Sequence, residues 1–158
     1  MPAAAAKAPE RGPRTTTTVR AVPAAAAFMG VHLAVADMAK AMDFYRRAGI
    51  AVPEGADESP HVEIDLGGGT HIAFSTPMVI AMYDPAWRGP VPSTATVLQL
   101  RLLSREAVDT IYESLTNAGY AGHLAPIDAF WGNRYCEVDD ADGNAVGFHS
   151  PTDESKRT

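Results

Sequence analysis

Cysteine is nearly absent from this 158-residue chain: Cys136 stands alone, so no internal disulfide can form. That usage suits a reducing compartment such as the cytoplasm. No apolar run approaches the roughly 18 residues a membrane-spanning helix needs. Basic residues are also short, 13 Lys and Arg against 19 Asp and Glu, for a net charge of −6. A nucleic-acid binder would need a basic face, and the balance here argues against one. Three further absences narrow the chemistry: no Gly-rich phosphate loop, no Ser nucleophile elbow and no Cys/His zinc spacing.

Residues 1–27 are low in complexity, with Ala runs, four consecutive threonines and Pro2, Pro9, Pro13 and Pro23. This stretch has no apolar core and so is not a secretory signal. Its Arg-containing, acid-poor composition is shared by organellar transit peptides, but a disordered extension is the reading taken. It holds Lys7, Arg11, Arg14 and Arg20 against Glu10, which leaves the rest of the chain more acidic than the whole.

What the chain does contain is a repeat. Residues His61 to Pro77 overlie Tyr135 to Pro151 without a gap: Glu63 falls on Glu137, Asp65 on Asp139, Gly69 on Gly143, Phe74 on Phe148 and Pro77 on Pro151. Upstream of each copy runs a strand-like segment that ends on a helix N-cap residue, Gly30–Ala36 before Asp37 and Val97–Leu103 before Ser104. The helices that follow end at Ala48-Gly49 and Ala118-Gly119, with Gly placed to adopt the left-handed closing conformation. Strand, helix and a set of strands therefore occur twice. Within the copies, His61–Leu66 and Thr70–Ser75 read as strands joined by three glycines. Arg134–Val138 and the run from Ala145 read as strands joined at Asp142-Gly143-Asn144. Val52–Pro60 reads as loop with at most a short strand at its start, and His123–Ala129 as loop or short strand.

Pro77–Thr94 joins the halves and is apolar, carrying Met78, Val79, Ile80, Met82, Tyr83 and Trp87. It should bury itself, either as a short helical turn forming a pocket wall or lid, or as a strap across the seam.

Val35-Ala36-Asp37, Met42-Asp43-Phe44-Tyr45 with Gly49, Trp131-Gly132-x-Arg134-Tyr135 and Asp139-Asp140-x-Asp142-Gly143-Asn144 together resemble the vicinal oxygen chelate superfamily. Its members include glyoxalases, extradiol dioxygenases, epimerases, fosfomycin-inactivating transferases and bleomycin-resistance binding proteins. The resemblance runs from Phe28 to Pro151. It implies an α+β fold of two βαβββ modules, with curled mixed sheets around a cleft. Module one is 28–77, the connector 78–94, module two 95–151 and a polar C-terminal tail 152–158. It also implies a homodimer.

Metal-dependent members take ligands from the first and last strand of each module, and the resemblance carries these onto Gly30, Ala73, Val97 and Gly147. None has a donor side chain. A two-residue slip keeps the same face and gives His32, Gln99, Ser75 and His149, so a metal, if bound, would be held by His32, Gln99 and His149, with His71 nearby. The plainer reading has no metal and no other cofactor, and His32, His71 and His149 line a wet cleft. Gln99 and Arg101 share a face. Arg101 would suit a carboxylate or phosphate ligand, or would pair with Glu63 or Glu137. Met82, Tyr83, Trp87 and Trp131 would supply apolar walls, with Trp131 either stacking a ligand or plugging the module interface. The function expected is metal-independent small-molecule binding of the bleomycin-resistance type, that is, drug or natural-product sequestration. The alternatives are a metal-dependent lyase, isomerase or dioxygenase, and a metal-free biosynthetic enzyme with His as acid–base group. No nucleic-acid or membrane partner is expected.

Overall fold

The computed structural model describes residues 26–89, 91 and 95–158. The expected disordered extension falls, but for Ala26 and Ala27, outside the described residues.

Each helix starts where its cap residue stands. Strand β1 (Gly30–Ala34) leads to α1 (Met38–Arg47), where the Asp37 carboxylate accepts from the Lys40 N–H. The Ser104 hydroxyl does the same for the Ala107 N–H at the start of α3 (Arg105–Asn117). Both helices close on a glycine at positive φ, Gly49 at 93° and Gly119 at 97°. The strands of module one are completed by β2 (His61–Gly67) and β3 (Thr70–Ser75). The glycines between them hold φ of 85°, 63° and 78°, a succession that side chains with a Cβ resist.

Module two contains β4 (Leu98–Arg101), α3, β5 (Gly122–Asp128), β6 (Arg134–Asp139) and β7 (Ala145–His149). Its sheet runs β4-β7-β6-β5, and that of module one runs β1-β3-β2. Module one is thus one strand shorter. The place of β5 is taken by an irregular stretch with a single 3-10 turn at Ala56–Glu58, between Pro53 and Pro60. Proline withholds a ladder donor and Gly55 sits at φ 76°, so this stretch cannot pair as a strand.

The repeat is realised residue by residue in the strand registers. His32 pairs with Ala73 as Gln99 pairs with Gly147, and His61 with Ser75 as Tyr135 with His149. In each strand one set of alternate residues faces the helices. Val62, Ile64, Ile72 and Phe74 do so in module one, and Cys136, Val138, Val146 and Phe148 in module two. They form one core with Met42, Phe44 and Tyr45 of α1 and Val108 and Leu115 of α3. Burying a side chain of this size contributes about 2 kcal/mol. Cys136 lies wholly inside, and burial pushes its thiol up to about 12, which makes it inert.

The modules dock through a few specific contacts. The Tyr120 ring stands edge-on to Phe44 at 4.9 Å, and its hydroxyl donates to Asp43 at 2.8 Å. The Tyr45 hydroxyl donates to Asp140 at 3.0 Å, and the Asp142 carboxylate accepts from the Ala36 N–H at 2.8 Å.

The connector forms α2 (Pro77–Tyr83), which buries Ile80 while Met78, Met82 and Tyr83 stay exposed. Residues 152–158 lie back along the loop that precedes β6. The Asp153 N–H donates to the Gly132 carbonyl, Arg157 Nε to the Trp131 carbonyl and the Thr158 N–H to the Phe130 carbonyl. No helix among the described residues is long and apolar enough to cross a membrane.

Candidate functional site

The sheet face turned away from α1 and α3 carries the polar alternates. In module one these are His32, Ser75, His61 and Glu63. In module two they are Gln99, Arg101, Tyr135, Glu137 and His149. Strands β1 and β4 are the edges of their sheets, and a cavity of about 290 Å³ opens between them. Val31, Leu33, Val97, Leu98 and Val146 make its walls apolar, and His32 and Gln99 face it as polar points.

Two further cavities adjoin this seam through shared residues. One of about 330 Å³ is reached through Gln99 and bordered by Arg101, His149, Asn133, Ser150 and Thr152. The other, about 200 Å³, is reached through His32 and walled by Ile80, Tyr83, Asp84 and Trp87. The connector helix therefore does wall a pocket, next to β1. Six of the residues expected at the site, His32, Gln99, Arg101, Tyr83, Trp87 and His149, line this chain of cavities. Met82 is 82% exposed and lines none of the three. Trp131 packs edge-on against Phe130 and Tyr135, at 4.9 and 5.6 Å. His71 lies under β1, its Nδ1 3.9 Å from Glu63.

Module one holds a relay that spacing alone did not reveal. The wholly buried Ser75 hydroxyl sits 2.8 Å from His32 Nε2 and 2.8 Å from His61 Nδ1. The hydroxyl thus bridges the two imidazoles. The pairing of β2 with β3 across the glycine turn was the signal available for His61, because it sets His61 opposite Ser75.

In module two the corresponding positions build something different. The His149 ring lies over that of Tyr135, centroids 4.4 Å apart, and the Tyr135 hydroxyl donates to Glu137. Burial, together with that hydrogen bond, raises the Tyr135 pKa far above the usual phenol range. His149 Nε2 is buried without a hydrogen-bond partner, and burial holds the imidazole below its usual 6.5, with Glu137 opposing. Arg101 is exposed and makes no hydrogen bond or ion pair with any described residue, since Glu137 is engaged by Tyr135 and Glu63 lies beside His71.

The positions that the resemblance marks for metal ligands, Gly30, Ala73, Val97 and Gly147, do not fit such an ion. Beyond lacking donors, Gly30 and Gly147 leave no room for a side chain. A Cβ at 147 would stand 2.8 Å from the Tyr135 hydroxyl, and one at 30 would collide with the His71 carbonyl. In the slipped set, His32 Nε2 is turned to Ser75. Among the described residues no group of three or more His, Cys, Asp or Glu side chains is arranged to hold a metal ion.

Residues 25–148 match the model of the Glyoxalase/Bleomycin resistance protein/Dioxygenase superfamily, and the chain belongs to that family. Among solved structures it is similar to a glyoxalase/bleomycin resistance protein/dioxygenase family enzyme from Burkholderia phytofirmans. The identity is 18% and the TM-score 0.65, covering 77% of this chain and 96% of that one. It is also similar to a glyoxalase/bleomycin resistance protein/dioxygenase from Nocardioides, at 20% identity and TM-score 0.60, covering 88% and 90%. A hypothetical protein from S. aureus gives 20% identity and TM-score 0.63, covering 77% and 91%. At these identities the likeness speaks to the fold alone. No curated protein matches the chain.

Proposed function

We propose that this protein binds a small molecule without a metal and sequesters it, in the manner of the bleomycin-resistance branch of its family. The observation that carries the reading is the chain of cavities along the seam, apolar in its walls and polar at His32, Gln99, Arg101 and His149. Such a lining suits an aromatic or polar natural product. The donorless positions Gly30, Ala73, Val97 and Gly147 support the metal-free form of the reading. A homodimer in the cytoplasm belongs to the same proposal, supported by the exposed Met78, Met82 and Tyr83 of α2 and by the single buried cysteine.

One observation favours a second reading, a metal-free enzyme: the His32–Ser75–His61 chain could carry a proton at the edge of the cavity. Trp87 lines that cavity, so titration of candidate compounds followed by tryptophan fluorescence, with and without chelator, reports occupancy. Recovery of the compound unchanged in mass is the expected result. A chemically altered product would replace sequestration with the enzyme reading.

A further inference from the structure

The cavity bordered by Gln99, Arg101 and His149 has a polar inventory that can be accounted for atom by atom. Three of its polar side chains are spent on the protein itself. Asn133 Nδ2 donates to the Ser150 carbonyl at 2.5 Å, and Asn133 Oδ1 accepts from the Thr152 hydroxyl at 3.2 Å. The Ser150 hydroxyl accepts from the Arg134 N–H and donates to the Pro151 carbonyl. These groups make a rigid wall and offer little to a ligand.

What remains of the polar lining is Arg101, Gln99 and the His149 ring. Arg101 and His149 are register partners on the adjacent strands β4 and β7, so their side chains leave the same face side by side. Gln99 stands two residues before Arg101 on that face, and no hydrogen bond joins its amide to a described residue. The guanidinium has no partner among the described residues, and His149 Nε2 is buried with none. No carboxylate among the described residues lines this cavity. Glu137 approaches His149, but the Tyr135 hydroxyl engages one of its oxygens and His123 lies 3.6 Å from the other.

We propose that this cavity is an oxyanion subsite that takes the carboxylate of a small organic acid. The Arg101 guanidinium is the planar fork, with the Gln99 amide as flanking donor and the His149 ring as neighbouring wall. The charge count selects the anion. Among the described residues Arg101 alone borders the cavity with a full positive charge, while the chain as a whole is at −6. One fork matches one carboxylate in a bidentate pair, whereas a dianionic phosphate would keep an unneutralised charge. The assignment rests on the binding reading of the cleft and names the class of compound that the cleft would take.

The test uses the full chain and three probes of like shape: benzoate, its neutral amide benzamide, and phenyl phosphate. Binding is read by saturation-transfer NMR and by the His149 ring resonances, assigned through a His149→Gln variant. Benzoate is expected to bind and to shift those resonances, with benzamide weaker by at least about tenfold and phenyl phosphate no tighter than benzoate. Arg101→Gln should weaken benzoate by at least about tenfold, and Arg101→Lys by less. Because Arg101 is exposed and unpartnered among the described residues, both variants should fold, which far-ultraviolet circular dichroism checks. Absence of benzoate binding, equal affinity for benzoate and benzamide, tighter binding of phenyl phosphate, or indifference to Arg101→Gln would each overturn the proposal. This outcome and the failure of sequestration are distinguishable. Neutral compounds held unchanged in the cleft would leave sequestration standing without the subsite. An acid bound through Arg101 but recovered altered in mass would do the reverse.

Discussion

The Tyr45 hydroxyl donates to the Asp140 carboxylate across 95 positions of sequence, joining the helix of one module to the turn of the other at 3.0 Å. Tyr45 is wholly buried, and burial together with Asp140 raises its pKa well above the ordinary phenol value, so it stays a donor throughout the working pH range. Tyr45→Phe keeps the ring and removes the bond. The expected loss is about 1–2 kcal/mol. Urea unfolding should show a lower midpoint with an unchanged slope. An unchanged midpoint would mean that the modules do not lean on this contact.

Gly147 lies against Tyr135, whose ring is held in turn between His149 and Trp131. The methyl of Gly147→Ala has nowhere to go, and overpacking of this kind costs about 1–3 kcal/mol. Combining it with Tyr135→Leu should recover part of the loss, because the obstructing ring is gone. Thermal melts of the two single variants and the pair measure that coupling. Strictly additive losses would show that the ring yields freely.

Burial lowers the folded-state pKa of His149 below its unfolded value of 6.5. Between those two values the unfolded chain binds more protons than the folded one, so stability rises with pH. The contribution is fully present above about 6.5, falls as the pH drops below it, and levels off beneath the folded-state pKa. His149→Gln should flatten that part of the stability profile, as followed by denaturant midpoints at closely spaced pH values. A profile that keeps its slope in the variant would place the titration elsewhere.

Protein purified without chelator is expected to carry no stoichiometric divalent ion, because positions 30, 73, 97 and 147 offer no donor and His32 Nε2 is turned to Ser75. Elemental analysis decides this directly. Stoichiometric Zn, Ni, Mn or Fe that disappears on His32→Ala or His149→Ala would overturn it. Such a result would make Lewis-acid chemistry the leading account of the cleft.

The doubled architecture was legible in the chain because turn glycines and alternating residues recur in fixed order. The gapless overlay of His61–Pro77 on Tyr135–Pro151 reappears as matched register, Glu63 beside Ala73 and Glu137 beside Gly147. Strand β3 and both main helices start where the sequence places them. The site was legible only as a set of residues sharing a face. Whether Arg101 would meet Glu63, Glu137 or neither depended on side-chain reach across strands, which alternation does not encode. The bridge from His32 through Ser75 to His61 joins positions 43 and 14 residues apart. Met82 reads as apolar wall, yet a helix of 7 residues turns a single large side chain, Ile80, fully inward and leaves Met82 in solvent.

Matched registers carry unequal chemistry across the seam. Where one half places Ala34, Ser75 and His61, the other places Arg101, His149 and Tyr135 in the same registers. A guest of the kind proposed, lying along this groove, would meet the His32 imidazole at one end and the Arg101 cation at the other. The groove therefore has a head and a tail. Under the proposed binding role, guests whose own two ends differ would be held in one orientation, and palindromic molecules would waste half their contacts.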